Sequence, residues 1–240
     1  YDDHLQYLKY YQKADCVICV SKSNADRLYE ESNRTVKTEY CYNPIDNQKI
    51  VAAVKEEVAD IPRIEGLNFI SVGRLSVEKG FDRLVNCFAK LKDRYRFHCI
   101  LIGDGPQRDE LQKEIEQQNL QSYVTLLGER KNPHAYTAKC DLFICSSRAE
   151  GYSTTCTEAI MLGIPVLSTK VSGADEIILE AEAGLVVENS EEGLLEGLEQ
   201  ILKNPSLITE WKNILTTTKS HFSYEMRVEK LDAVLGIETQ

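Results

Sequence analysis

The stretch DLFICSSRAEGYSTTCTEAIMLGIP, residues 141–165, combines three local patterns. A short apolar run, Asp141–Cys145, predicts a buried strand. A polar loop follows, and Ser153 at its end is a suitable N-cap for a helix over Thr154–Leu162. The Gly-Ile-Pro sequence after that helix is a normal stop signal. The stretch therefore predicts one strand–loop–helix unit.

The same unit recurs on both sides of this stretch. Further apolar runs predict strands at Leu67–Val72, Phe97–Ile102, Tyr123–Leu127, Pro165–Thr169 and Gly184–Val187. Amphipathic patterns predict further helices at Gly80–Asp93, Gln107–Gln118, Ala174–Glu180 and Glu191–Lys203. Regular alternation of strands and helices implies a parallel sheet with right-handed crossovers. The predicted fold class is α/β, with a doubly wound parallel sheet of six strands.

The strand-to-helix loops are where we expect function. Runs such as Phe69–Val72 and Cys99–Ile102 are apolar on both faces, as strands covered by helices on each side are. In such sheets, ligands bind beyond the carboxyl ends of the strands. The loops that follow the strands are therefore the places to look for chemistry.

The composition is that of a folded domain that does not bind nucleic acid. Of its 240 residues, 42% are hydrophobic and 28% are charged, which is ordinary for a globular chain. The net charge of −10, with cations scattered among acids, is opposite to that of a nucleic-acid binder. No apolar run approaches the roughly 18–20 residues that cross a bilayer, and no signal-peptide pattern opens the chain. A phosphate ligand would need a few cations placed locally.

The eight cysteines indicate free thiols rather than disulfides. Most lie in strand-like or helix-like segments, where a thiol behaves as a small buried hydrophobe. Cys16 and Cys19 form a CxxC motif, but no second pair of ligands stands nearby to complete a metal site. We therefore expect no metal site and a reducing, cytoplasmic location.

Residues 1–45 follow a different plan. Their patterns predict, in order, a helix at Asp2–Lys13, a strand at Asp15–Val20, a helix that opens near Ser23 and a strand at Val36–Tyr42. Two strands and two helices are too few for an independent domain. We interpret 1–45 as the end of a preceding domain followed by a hinge at Asn43–Asp46. Because the chain does not begin with Met, we expect an N-terminal part to be missing.

The rest of the chain divides into two further parts. Residues 46–222 contain the predicted six-stranded sheet and form the expected ligand-binding domain. Residues 223–240 contain a predicted helix, Ser223–Leu235, with apolar residues at helical spacing. We expect this last helix to pack back toward the N-terminal part.

The loop after the strand Leu67–Val72 carries two cations. It begins with Gly73, which permits close approach of the backbone to a ligand. Arg74 offers a planar fork suited to phosphate oxygens, and Lys79 offers a mobile point charge. Two interpretations are open at this point. The pair neutralises a diphosphate at the edge of the sheet, or both are ordinary surface cations.

Two other loops give weaker signals. The segment Ile102–Pro106 contains Gly-Asp-Gly, but without a third glycine it is weak evidence for a dinucleotide site. Turn geometry, with Pro106 near the start of a helix, explains it better. The loop Leu127–Arg130 is placed to approach a base, although the sequence does not require that contact.

The loop after Asp141–Cys145 places two carboxylates around a helix start. The free N–H groups of Thr154 and Thr155 favour an anion, to which the helix dipole adds about 0.3–1 kcal/mol. Glu150 precedes this helix and Glu158 lies about one turn into it. Carboxylates beside a phosphate would bind sugar hydroxyls instead, at roughly 1.5–3 kcal/mol for each hydrogen bond. The alternative is one loop acid and one solvent-facing helix acid.

Together these motifs resemble group 1 glycosyltransferases (family 4). The string EGYSTTCTEAIMLGIPVLST, residues 150–169, and the upstream GRLSVEKG, residues 73–80, are similar to that family's motifs. The ordered resemblance runs from about Ala14 to the C-terminus and includes Ser172–Glu176. Members of the family are retaining enzymes with two Rossmann-like domains in the GT-B arrangement. The resemblance implies that 46–222 is the nucleotide-sugar (donor) binding domain and that 1–45 is a remnant of the N-terminal domain.

The resemblance also assigns roles to the candidate residues. Arg74 and Lys79 would grip the donor diphosphate and stabilise charge on the departing nucleotide. Glu150 would position the transferred sugar rather than act as a nucleophile, and these three are the expected catalytic residues. Glu158 would bind the ribose hydroxyls. The expected donor-binding set is Gly73, Arg74, Lys79, Arg130, Glu150, Gly151, Ser153, Thr154, Thr155 and Glu158.

Similar enzymes use a nucleotide diphosphate sugar as co-substrate and need no metal or other cofactor. Their N-terminal domain holds a glycan or lipid-linked acceptor and commonly a catalytic-site histidine. None of the histidines here (His4, His98, His134 and His221) matches it. The hinge has Asn43-Pro44 where the family often has Asn-Gly. The chain alone is expected to be inactive, and the full-length enzyme is expected at the inner face of a bacterial membrane, in polysaccharide or glycolipid assembly.

Three other functions remain as alternatives. A non-catalytic nucleotide-sugar sensor or partner subunit would bind a donor without turning it over. A GT-B-like sugar-nucleotide epimerase would change the sugar without any acceptor. A Rossmann dehydrogenase is disfavoured, because the strand Leu67–Val72 is followed by GRLSVEKG rather than a three-glycine fingerprint.

Overall fold

The computed structural model describes residues 6–58, 60–61 and 65–236, and its strands form two parallel sheets. The strands are β1 (Val17–Cys19), β2 (Thr38–Tyr40), β3 (Leu67–Val72), β4 (Phe97–Ile102), β5 (Val124–Gly128), β6 (Leu142–Cys145), β7 (Val166–Thr169) and β8 (Gly184–Val187). The first two pair with each other, and the other six form one sheet in the order β5-β4-β3-β6-β7-β8. All pairings are parallel, so the predicted doubly wound, six-stranded Rossmann-like sheet is confirmed.

Helices connect these strands and cover both faces of the six-stranded sheet. They are α1 (Leu8–Tyr11), α2 (Lys22–Glu31), α3 (Asn47–Ala53), α4 (Phe81–Leu91), α5 (Arg108–Gln117), α6 (Pro133–Thr137), α7 (Thr154–Met161), α8 (Ala174–Ala181), α9 (Glu191–Lys203), α10 (Ser206–Thr218) and α11 (Tyr224–Leu235). The predicted helices of the sheet domain agree with these bounds to within two residues. Helices α3, α6 and α10 were not predicted. Of the predicted helix Asp2–Lys13, residues 2–5 lie outside the described residues, and the described part is helical over residues 6–7, as a 3-10 turn, and over α1.

The hydrophobic core consists of two clusters, one on each face of the sheet. Neighbouring side chains of β3 point to opposite faces, so Phe69 packs in one cluster and Ile70 in the other. Phe69 lies in an aromatic group with Phe88 and Phe97, whose ring centroids are 5.0 Å apart. These strands therefore carry apolar residues on both faces because both faces are buried.

The first and last parts of the chain pack against the sheet domain and against each other. The carboxylate of Glu176 on α8 accepts hydrogen bonds from the backbone N–H groups of Lys22 (2.9 Å) and Ser23 (2.8 Å), at the start of α2. From α11, the ammonium of Lys230 lies 3.2 Å from the ring centroid of Tyr40, next to the predicted hinge. Within the described ranges, every helix is too short or too polar to span a membrane. The division into domains at residues 45 and 222 stays a prediction.

Candidate functional site

The candidate site lies where the strand order reverses, between β3 and β6. At such a switch point the loops that follow the two strands separate and leave a crevice. Here the loops are 73–80 and 146–153, and several contacts bind them together. Arg148 donates two hydrogen bonds to the carboxylate of Asp82 (2.8 and 2.6 Å), and its backbone N–H donates to the carbonyl of Glu78 (2.6 Å).

Lys79 and Glu150 form an ion pair across these two loops. The Nζ of Lys79 lies 2.6 Å from Oε1 of Glu150, and the side chains are 30% and 13% exposed. Ser147 donates from its hydroxyl to the same carboxylate oxygen at 2.6 Å. Burial lowers the pKa of Lys79, but the hydrogen bond and charge of Glu150 outweigh it and leave that pKa above its ordinary value. The structure therefore brings together a cation and a carboxylate that belong to two separate sequence motifs.

Helix α7 begins directly beside this pair. Ser153 caps the helix as predicted, since its hydroxyl accepts a hydrogen bond from the N–H of Cys156. The N–H groups of Thr154 and Thr155 have no acceptor within the helix, because they belong to its first turn. No acceptor elsewhere in the described chain receives them. These two N–H groups, together with the helix dipole, make the start of α7 suitable for an anion.

Glu158 lies on α7 and faces a histidine that the sequence did not place in the site. Its Oε2 is 3.2 Å from Nε2 of His134, in a contact without hydrogen-bond geometry. His134 belongs to the short helix α6, which Asn132 caps from outside and Pro133 begins. That Asn-Pro start was the available sequence signal for α6.

Arg74 and Gly73 occupy the other wall of the crevice. The Arg74 side chain is exposed and has no ion pair or hydrogen bond among the residues that the structure describes. A Cβ at Gly73 would lie 3.6 Å from the nearest side-chain carbon of Lys79, an ordinary contact, so packing against Lys79 does not require glycine there. Behind it, a Cβ on Gly103 would meet the Gly73 carbonyl at 1.9 Å. The glycines of Gly103-Asp104-Gly105 thus permit close packing of two loops, which agrees with the turn interpretation.

Arg130 is held in place by its own surroundings. Its guanidinium donates to Asp60 at 2.9 Å and to the hydroxyl of Tyr136 at 3.1 Å, and it also contacts the carbonyl of Leu127. In this arrangement Arg130 is fully engaged within the protein. Its predicted place near a base stays a prediction.

The site opens into a cleft of about 810 Å³ between the N-terminal elements and the sheet domain. One wall comes from β1 and α2, with Ile18 and Arg27, and the other includes Arg148, Glu150 and Lys170. Gly151 lies at the junction, where its carbonyl accepts a hydrogen bond from Asn24 at 3.2 Å. The cleft therefore gives a ligand at Glu150 access from the side of residues 1–45.

All eight cysteines are free, as predicted, and six of them are buried. Burial is the main cause that raises the pKa of Cys87 and of Cys140 to about 12. Cys16 and Cys19 are only half-buried. Within the described ranges, no group of three or more His, Cys, Asp or Glu side chains could hold a metal ion.

Comparison with known proteins shows to which family a chain with these features belongs. The profile of the family "Glycosyl transferases group 1" matches residues 55–216, well over half of the chain. A Campylobacter jejuni relative, N-acetylgalactosamine-N,N'-diacetylbacillosaminyl-diphospho-undecaprenol 4-alpha-N-acetylgalactosaminyltransferase, is 34% identical over 215 residues. That alignment covers 88% of this chain and 57% of the relative. The lipopolysaccharide core biosynthesis glycosyltransferase LpsE of Rhizobium meliloti is 28% identical over 86% of this chain and 59% of its own length.

Solved structures share the fold. Anabaena HepE in complex with UDP-glucose superposes with a TM-score of 0.78 at 21% identity, over 98% of this chain and 67% of that one. Sucrose-phosphate synthase from Thermosynechococcus elongatus gives 0.77 at 19% identity, over 97% and 60%. The chain thus spans about three fifths of the length of several proteins that it matches. With the family profile over its sheet domain and this fold, the chain belongs to the group 1 glycosyltransferases.

Proposed function

We propose that this chain is the donor-binding part of a retaining, metal-independent glycosyltransferase. The enzyme transfers a sugar from a nucleotide diphosphate sugar to a glycan or lipid-linked acceptor. The observation that carries the proposal is the Lys79–Glu150 pair, at 2.6 Å, beside the free N–H groups at the start of α7, with Glu150 lining a large cleft. Cations, an anion-binding helix start and a sugar-binding carboxylate are the parts that such a donor requires.

The diphosphate of the donor would lie between Lys79, Arg74 and the N–H groups of Thr154 and Thr155. Each of these groups is positive or partly positive, and together they offset the charge of two phosphates. When the diphosphate engages Lys79, the carboxylate of Glu150 becomes available to accept hydrogen bonds from sugar hydroxyls. Glu158, farther along α7, would accept from the ribose.

In the reaction, the bond between the sugar C1 and the phosphate oxygen breaks, and its electron pair goes to the nucleotide. The acceptor hydroxyl forms the new bond to C1 on the same face, and its proton passes to the departing phosphate. Negative charge therefore grows on the phosphate beside Lys79 and Arg74. Preorganised donors at that position stabilise the transition state more than the ground state.

Metal independence is proposed because protein cations occupy the place where a metal would act. Lys79 is held charged by Glu150, and the start of α7 adds two N–H donors. We expect the turnover of the full-length enzyme to be unchanged when EDTA replaces Mg²⁺. A complete loss of turnover in EDTA would contradict this part of the proposal.

For the acceptor, we propose a lipid-linked glycan, at the cytoplasmic face of a bacterial membrane. The name of the Campylobacter jejuni relative specifies a sugar acceptor on diphospho-undecaprenol, which supports this class. The cleft beside Glu150 is also lined by the cations Arg27 and Lys170. Such an acceptor would place the enzyme in polysaccharide or glycolipid assembly, with peripheral membrane association.

The first test is ligand binding by the chain itself. We expect one of UDP, GDP or ADP to raise its melting temperature in the absence of divalent cations, and Arg74→Ala or Lys79→Ala to abolish that rise. Arg94→Ala and Lys90→Ala are matched controls, since these cations form surface ion pairs with Glu199 and Glu191. A folded wild-type chain that responds to none of the three nucleotides would refute the proposal.

The second test uses the full-length protein and distinguishes the other functions. Transfer of labelled sugar to a lipid-linked acceptor, with the anomeric configuration of the donor kept in the product, is the expected result. Donor binding without turnover would indicate a sensor or partner subunit. An altered donor sugar in the absence of acceptor would indicate an epimerase.

A further inference from the structure

Arg83 is a buried arginine that neither the sequence motifs nor the family match singles out. It lies in the first turn of α4, directly after the loop that carries Lys79, and it is only 5% exposed. No carboxylate within the described part of the chain forms an ion pair with it. Its neighbour Asp82 is instead taken by Arg148. A buried cation without a counter-ion is unusual, so its partners need an explanation.

All of its partners are neutral oxygen atoms, and three of its four hydrogen bonds go to one loop. Nε and Nη2 both donate to the carbonyl of Ser146, at 2.8 and 2.6 Å, and Nη2 also donates to the carbonyl of Ser147 at 2.6 Å. The fourth bond joins Nη2 to the side-chain oxygen of Asn189 at 2.8 Å. The guanidinium thus fixes two consecutive peptide units just after β6.

Those two peptide units carry the side chains that hold the Lys79–Glu150 pair. The hydroxyl of Ser146 donates to the backbone carbonyl of Lys79 at 2.9 Å. The hydroxyl of Ser147 donates to Oε1 of Glu150 at 2.6 Å, the same oxygen that binds Lys79. Each serine is therefore fixed at its carbonyl by Arg83 and reaches one member of the pair with its hydroxyl.

The loops around Arg83 are closely packed at Gly80. Gly80, between Lys79 and α4, adopts a positive φ of 65°, and a Cβ there would lie 2.2 Å from the Ser146 carbonyl oxygen. The same Cβ would lie 2.8 Å from Nε of Arg83. On the far side, the hydroxyl of Thr169 donates to the Ser147 carbonyl at 2.6 Å. The contact between the loops is close, so a shift of the Ser146–Ser147 peptides would move Lys79 and Glu150 too.

We propose that Arg83 is a positioning residue of the donor site, which holds Ser146 and Ser147 so that Lys79 and Glu150 meet in the geometry that binds the sugar diphosphate. The expected effect of Arg83 on ligand binding rests on the proposed function. The expected effect on the Lys79–Glu150 pair rests on the structure alone. A methionine of similar length would fill the same space without the cost of a buried charge. The guanidinium is therefore best explained by the carbonyls that it aligns.

The test compares Arg83→Met and Arg83→Lys with the wild-type chain by two measurements. The first is the titration of Lys79, followed by NMR after ¹³C-dimethylation of the lysines and assigned by the loss of its signal in Lys79→Arg. The second is calorimetric titration with UDP, GDP and ADP. Ile115→Val is the control for stability, since it thins the core on α5 away from the site.

In Arg83→Met we expect the titration midpoint of Lys79 to fall below that of the wild type. The affinity for the nucleotide should fall roughly tenfold, because Lys79 is displaced from the diphosphate and does not merely lose its counter-ion. Arg83→Lys, which keeps the charge but cannot serve both carbonyls and Asn189, should give intermediate values. Ile115→Val should change the melting temperature only.

A folded Arg83→Met variant that loses stability but keeps the Lys79 midpoint and the nucleotide affinity would overturn the proposal. If Arg83→Met does not fold, Arg83→Lys decides, and wild-type values in that variant would equally overturn it. If the wild-type chain binds none of the three nucleotides, the proposed function fails. The lysine titration then still decides whether Arg83 positions the pair.

Discussion

Lys79 and Glu150 are 71 residues apart in the chain and meet at 2.6 Å in the folded protein. Their pairing keeps two opposite charges in a partly buried site, where neither is fully solvated. A diphosphate that binds beside the pair gives Lys79 a second negative partner. Glu150 can then leave Lys79 and accept hydrogen bonds from neutral hydroxyl groups. A donor that carries both a diphosphate and hydroxyl groups can satisfy both residues.

At this scale, we predict that Glu150→Gln strengthens binding of the bare nucleotide while it weakens catalysis. Without the carboxylate, Lys79 has no counter-ion and attracts the diphosphate more strongly, by up to roughly tenfold in affinity. Calorimetric titration with UDP, GDP and ADP measures the affinity, and the full-length enzyme reports turnover. Glu191→Gln, which removes the partner of Lys90 on the surface, is the matched control and should change neither. Unchanged or weaker nucleotide binding in Glu150→Gln would contradict the exchange.

The elements of the sheet domain follow local patterns closely, and this is why they could be predicted. The pattern of apolar residues identifies two kinds of element. These are strands that are apolar on both faces, such as β4, and helices with one apolar face, such as α9. Helix α6 spans too few residues for a period to be recognised. Helix α10 was missed although it spans 13 residues, since polar residues interrupt its apolar face.

The candidate site likewise contains some features that local sequence patterns predict and others that they do not. Ser153 as a cap is a local feature, and the sequence predicts it correctly. The contacts of Lys79 with Glu150, and of Glu158 with His134, join separate elements and depend on how the loops pack. Arg83 gave no signal at all, because an arginine in the first turn of a helix is usually solvated.

For helix α7, we predict that Ser153→Ala lowers both stability and nucleotide affinity. The loss of the cap should cost about 1 kcal/mol of the free energy of unfolding, measured by urea denaturation. The first turn then frays, so its N–H groups hold a phosphate less well. Ser190→Ala removes an equivalent cap from α9, where the hydroxyl accepts from Gly193 at 3.0 Å. That control should lose similar stability and bind the nucleotide as the wild type does, and parallel effects in both variants would argue against an anion site on α7.

Across the whole molecule, Glu176 fastens the N-terminal elements to the sheet domain. Its carboxylate receives the two N–H groups that begin α2, and it also interacts with the side chain of Tyr42. Tyr42 in turn stacks on Tyr152 of the Glu150 loop, with ring centroids 4.7 Å apart. The walls of the cleft are therefore joined at one end, next to the predicted hinge.

This contact predicts a pH dependence of stability. Burial raises the pKa of Glu176, but the hydrogen bonds from Ser23, Lys22 and Tyr42 outweigh it and hold that pKa below the ordinary value of 4.5. A carboxyl whose pKa is lowered on folding stabilises the protein above its unfolded pKa, and this stabilisation is lost as pH falls through the folded value. The wild type should therefore be more stable than Glu176→Gln at pH 7, and the difference should shrink below about pH 4.

Urea denaturation at pH 7 and at about pH 3 measures that difference. Glu30→Gln is a control, because its carboxylate pairs with Arg34 at an exposed surface. A difference between wild type and Glu176→Gln that is the same at pH 7 and at about pH 3 would contradict the role of the ionised carboxylate.

The buried cysteines give this chain a built-in way to follow its own opening. In the native protein only Cys16 and Cys19 are half-exposed, so two thiols should react at once with a disulfide reagent such as DTNB. Cys41 lies beneath α11, where its thiol donates to the carbonyl of Arg227, and it should become reactive when that helix detaches. Cys87 and Cys140 lie in the core and should wait for global unfolding. The order in which labels appear, read by mass spectrometry, would rank the stabilities of these regions without any engineered probe.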